Sequence, residues 1–87
     1  MHFGEHRQFK RQYAKLPPDA KQRVNERLAL LATGQKHPLL KDHKLNPPWE
    51  GYRSISVTGD IRLIYKKIDE YTVFLRAIGT HHQLFGN

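Results

Sequence analysis

Phe9, Tyr13 and Leu16 recur at helical spacing with Arg7, Lys10, Arg11 and Lys15 between them, which predicts a basic amphipathic helix from about His6 to Lys15. Pro17 and Pro18 interrupt that pattern. A second helix follows: Pro18 suits its first turn, Asp19 complements its N-terminal dipole, and Gly34 closes it. Its apolar stripe is Ala20, Val24, Leu28 and Leu31, so the two helices form a hairpin about the proline turn. The stretch QKHPLLKDHKLNPPWE has two proline interruptions and no sustained period. It reads as an irregular connection, with a short extended piece near Lys44 and Leu45 and Trp49 as its anchor.

From Tyr52 to Val57 the period changes to two. Arg53, Ile55 and Val57 point one way and Tyr52, Ser54 and Ser56 the other, as a half-buried strand requires. Thr58-Gly59-Asp60 supplies a turn, Ile61 to Ile68 a second strand, Asp69-Glu70 another turn, and Tyr71 to Ile78 a third strand ending at Gly79. Connections this short imply an antiparallel meander, and Met1 to Gly4 is placed as an edge strand beside it. The predicted class is α+β: an N-terminal helical hairpin on one face of a small antiparallel sheet, with the other face free for function.

Eighty-seven residues, 38% hydrophobic and 26% charged, suffice for one folded domain, taken as residues 1–87. No run of eighteen apolar residues occurs, and MHFGEHRQFK lacks the apolar core of a secretory leader. The expectation is a cytoplasmic protein with no membrane partner. The absence of cysteine excludes disulfides and thiolate metal sites. Fifteen Lys and Arg against eight Asp and Glu give a net charge of +7, a field that attracts a polyanion, with nucleic acid first among partners.

Six histidines raise the question of a metal, but no two stand four residues apart within one predicted helix, and no metal or other cofactor is expected. Glycine-rich phosphate loops, a Gly-x-Ser-x-Gly elbow and a cysteine nucleophile are also missing. What remains is acid-base chemistry on a polyanion by His43, Asp60 and His81, with Arg53 and several lysines to neutralise phosphate. RNA is the polymer for which this suffices, because its 2′-hydroxyl attacks the neighbouring phosphorus once one group removes a proton and another protonates the departing 5′-oxygen. Histidine serves either role near neutral pH.

The segments LKDHKL (40–45), WEGYRSISVTGDIRLIYK (49–66) and IGTHHQLFG (78–86) resemble the YafQ branch of the RelE/ParE toxin superfamily, the ribosome-dependent mRNA interferases of bacterial type II toxin-antitoxin modules. The resemblance implies the microbial ribonuclease-like fold and a catalytic set of His43, Asp60, His81 and Phe85. In it His81 is the general acid and His43 the general base, although the two are exchangeable at this level. Asp60 tunes an imidazole, Phe85 stacks on a base, and Arg53, Lys41, Lys44 and Ser56 line the phosphate path. It further implies cleavage of mRNA in the ribosomal A site to a 2′,3′-cyclic phosphate, a cognate acidic antitoxin, and operator DNA bound only through that antitoxin. Two departures stand out: Ser56 where the family often has histidine, and Ala77 where it often has a basic residue. They imply reduced activity, or an inactive homologue that retains antitoxin binding and repressor assembly. A ParE-like gyrase inhibitor is the other reading, since that branch shares the fold.

Overall fold

A computed structural model of the chain describes residues 1–34 and 36–86. Gln35, the first residue of the expected irregular connection, and Asn87 lie outside the described residues. Strand β1 (His2–Glu5) is followed by helices α1 (Arg7–Ala14) and α2 (Pro18–Ala32) and a 3-10 turn (Pro38–Leu40). Then come β2 (His43–Lys44), β3 (Arg53–Ser56), β4 (Ile61–Asp69), β5 (Thr72–Thr80) and a short helix, α3 (His81–Phe85).

Five strands form one sheet in the order β1-β5-β4-β3-β2. The meander from β2 to β5 is antiparallel, but β1 pairs with β5 in parallel, His2 opposite Thr72. The sheet is therefore mixed rather than antiparallel. A parallel pair needs a long crossover, and the whole segment from α1 to β4 separates these two strands.

The larger core lies on one face. Phe9 of α1 and Val24 of α2 pack with Leu40, Ile55, Val57, Leu63, Tyr65, Val73, Leu75 and Ile78. Tyr13, Leu16, Leu28 and Leu31, four further stripe residues of the helices, close its edge. Ile55 and Val57 thus share a face with the helices, as their alternation demands.

The opposite face is not free. Ile64 and Ala77, both fully buried, pack there with Leu84 of α3 and with Leu45, Trp49, Tyr52 and Phe85. An unbroken apolar run, Leu63-Ile64-Tyr65, carries that signature, since a strand covered on both faces has no polar positions to alternate with. A bulge helps arrange it. Tyr65 pairs with Leu75 and Ile64 with Ala77, leaving Arg76 as the extra residue of β5. The bulge reverses the alternation. Val73 and Leu75 before it face the helices; Ala77 after it faces the second cluster.

Helix α1 carries a titratable cap. His6 Nδ1 accepts the Gln8 N–H at 2.9 Å. Its pKa is held below 6.5 by partial burial, then by the guanidinium groups of Arg76, Arg7 and Arg11. The native state therefore favours the neutral ring. Stability is complete above about pH 6.5, the ordinary histidine value, and declines as pH falls toward the depressed folded value. We expect melting temperatures recorded between pH 8 and 5 to show this loss, and His6→Asn, which caps without titrating, to flatten that part of the curve. Parallel curves for the two proteins would exclude the cap as its source.

Candidate active site

His43 reaches the sheet edge because the residues before it are held in an unusual conformation. Lys41 ends the 3-10 turn with φ 47 and ψ 44, the left-handed region, where a side chain costs roughly 1–2 kcal/mol. The next residue supplies the compensation. Asp42, with 12% of its side chain exposed, accepts Arg53 Nε at 2.9 Å and the Tyr65 hydroxyl at 2.6 Å. The hydrogen bond to Asp42 raises the Arg53 pKa, while burial and then the same carboxylate push the Tyr65 phenol up. This lock directs His43 and Lys44 into β2, where they pair with Ser54 and Arg53.

At the other end of the site, α3 starts directly from β5. Thr80 accepts the Gln83 N–H at 3.1 Å while Gln83 Oε1 accepts the Thr80 N–H at 2.8 Å, a complete capping box. Gly79 leaves room for it, since a Cβ there would stand 2.7 Å from Gln83 Oε1. His81 is the first residue of the helix, and its ring centre lies 4.8 Å from that of Phe85, one turn on.

These two ends meet at a hollow of about 520 Å³, lined by His43, Leu45, Asn46, Pro47, Pro48, Trp49, Arg62, His81, Leu84 and Phe85. Pro47 and Pro48, joined by a cis peptide bond, and Trp49 form one wall. Imidazoles from the middle and the end of the chain thus border one space, with an aromatic ring beside the second. His43 Nδ1 lies 3.0 Å from the Lys41 carbonyl oxygen. Because a carbonyl only accepts, the tautomer that makes this bond carries its proton on Nδ1 and leaves the Nε2 lone pair open.

The remaining residues expected at the site fall elsewhere. Arg53 faces the helices, as its parity requires, and is held by Asp42, so it does not line the hollow. Asp60 is exposed in the β3–β4 turn, where it accepts the Thr58 hydroxyl at 3.1 Å. Ser56 donates to the Thr58 carbonyl. Lys41 offers its carbonyl rather than its ammonium group to the His43 side of the hollow, and Lys44 is an exposed strand residue outside the lining.

One residue in the hollow was missed by the sequence analysis. Arg62 of β4 sits opposite Ser56 and Gly79, neighbours small enough to let its guanidinium lie across the sheet. Nε donates to the fully buried Ser54 at 2.8 Å, and Nη2 lies 3.4 Å from the Lys41 carbonyl and 3.3 Å from His43 Nδ1. Burial lowers its pKa, with Asp42 acting in the opposite sense. Counting residues across the Thr58-Gly59-Asp60 turn finds it: pairing Arg62 with Ser56 puts it on the Ser54 face.

A strongly basic α+β domain with two imidazoles and a guanidinium around an open hollow has the equipment of a protein that handles an anionic polymer. Comparison with known proteins narrows this. Residues 1–86 match the model of a family described as the bacterial toxin of type II toxin-antitoxin systems, YafQ, and the chain belongs to that family. The curated mRNA interferase toxin YafQ of Escherichia coli K12 is 50% identical over 46 residues, 53% of this chain and 49% of that protein. The aligned stretch thus spans about half the length of the curated relative. The E. coli DinJ-YafQ toxin-antitoxin complex superposes with a TM-score of 0.81 at 28% identity, covering 97% of this chain and 96% of the other. A copper-bound mutant toxin from Helicobacter pylori shares the fold, with a TM-score of 0.81 at 23% identity over 98% and 99% of the two chains. In the present chain no cluster of three or more His, Cys, Asp or Glu suited to a metal occurs among the described residues.

Proposed function

We propose that the chain is a ribosome-dependent mRNA endonuclease that cleaves without a metal. His43 Nε2 takes the proton of a ribose 2′-hydroxyl, the 2′-oxygen bonds to the adjacent phosphorus, and the P–O5′ bond breaks as the His81 imidazolium protonates the departing oxygen. The products are a 2′,3′-cyclic phosphate and a free 5′-hydroxyl. Phe85, held against His81, offers its ring to an mRNA base. The observation that carries this reading is that His43 and His81, from distant parts of the chain, line one hollow.

The net charge of +7 supports both expected partners. An acidic antitoxin silences the toxin by covering the basic surface, and the pair meets operator DNA through the antitoxin. A second reading rests on Ser56 and the buried Ala77, which leave two positions of the resemblance without their usual polar groups. In it the chain binds antitoxin but cuts nothing.

Purified chain added to ribosomes stalled with a defined codon in the A site decides between them. The expected result is a codon-phased cut, seen only with ribosomes, whose upstream fragment ends in a cyclic phosphate. Intact mRNA at stoichiometric toxin, alongside tight antitoxin binding, selects the second reading.

A further inference from the structure

We propose that Arg62 is the anion clamp of the hollow, binding the non-bridging oxygens of the phosphodiester held between His43 and His81. The inference rests on the cleavage reading and names the group that neutralises the charge that reading creates.

The residue is built for such a ligand. A guanidinium offers five N–H donors in one plane, and the protein uses Arg62 Nε on Ser54 and places Nη2 at the long distance of 3.4 Å from the Lys41 carbonyl. Nη1 has no hydrogen-bond partner among the described residues. No carboxylate forms an ion pair with Arg62 among those residues; the nearby Asp42 is taken by Arg53 and Tyr65. A partly buried cation left without a counterion is costly unless a ligand supplies one. Ser54, wholly buried and 2.8 Å from Nε, fixes the plane of the guanidinium so that its outer edge serves the hollow.

Position strengthens the case. Ala77 is fully buried under the second cluster and brings no charge. Arg62 stands on the adjacent strand and the same face, because Ile64 pairs with Ala77 and Arg62 with Gly79 two residues along. A basic group missing from β5 is thus available from β4. Shared contact with the Lys41 carbonyl also puts Nη2 beside His43, so one phosphate can meet the clamp and the base together.

The test uses three readouts. In the ribosome assay, Arg62→Ala should lower the cleavage rate about 10²- to 10³-fold, the usual loss when a donor to transition-state charge is removed. Arg62→Lys keeps the charge but not the planar fork and should recover only part of it. Separately, binding of a 2′-O-methyl RNA hexanucleotide, which cannot cyclise, is followed by fluorescence anisotropy against salt. Losing one phosphate contact should reduce the slope of log K against log salt by about 0.7 in Arg62→Ala and leave it unchanged in Arg62→Lys. In the wild-type chain, the Arg62 guanidinium NMR signals should shift on adding the same RNA, a readout that needs no variant to fold.

Wild-type cleavage and slope in Arg62→Ala, or guanidinium signals that do not move, overturn the clamp while leaving the imidazole chemistry standing. An Arg62-dependent slope in a wild-type chain that never cleaves keeps the clamp and defeats the cleavage reading.

Discussion

Replacing His81 with alanine is expected to lower cleavage of ribosome-bound mRNA by about 10²- to 10⁴-fold, the range usual for losing one general acid or base. The adjacent His82→Ala should stay near the wild-type rate. Both imidazoles are exposed on the same short helix, but successive residues point about 100° apart around a helix, and of the two only His81 borders the hollow and touches Phe85. The contrast between neighbours is informative, because the two substitutions have similar effects on charge and on helix propensity. Single-turnover rates with matched melting temperatures are the measurement. Equal rates in wild type and His81→Ala would remove the terminal imidazole from the chemistry.

Asp42→Ala should produce the largest loss of stability, roughly 2–4 kcal/mol. The substitution strands two partners at once: the Arg53 guanidinium, 27% exposed, and the buried Tyr65 hydroxyl. At about 4–8 °C per kcal/mol for a domain of this size, the melting temperature should fall by roughly 8–30 °C. Tyr65→Phe, which removes one hydrogen bond and keeps the ring, should cost only about 1 kcal/mol. Because Asp42 immediately precedes His43 and the left-handed Lys41 immediately precedes Asp42, cleavage should also fall at temperatures where the variant is still folded. Thermal melts and rates measured well below the transition separate the two effects. An Asp42→Ala protein that melts with the wild type would show that the Arg53 and Tyr65 contacts contribute nothing net.

Arg53 illustrates how far one strand's alternation can be read. Its parity with Ile55 and Val57 already pointed away from the site, and the structure has it on the helix side, gripping Asp42. Its contribution to the hollow is indirect: it holds the segment that presents His43. Arg62 shows the complementary failure. Its face depends on which residue of β3 lies opposite, and a pairing register belongs to two strands together rather than to either alone. The bulge at Arg76 is of the same kind, since an extra residue in one strand exists only relative to its partner.

Local chemistry written into consecutive residues was legible from the chain alone: the two helices and their proline boundary, strands β3, β4 and β5 and their turns, the excess positive charge, and the histidines able to move protons near neutral pH. Periodicity and turn preference act over a few residues and need no partner. The tertiary structure decided the parallel seat of β1, the covering of the second sheet face by α3 and the Trp49 segment, and the meeting of His43, Arg62 and His81 around one hollow. Each of these is a contact between segments far apart in sequence, settled by burial and strand pairing over the whole sheet, to which no local pattern has access.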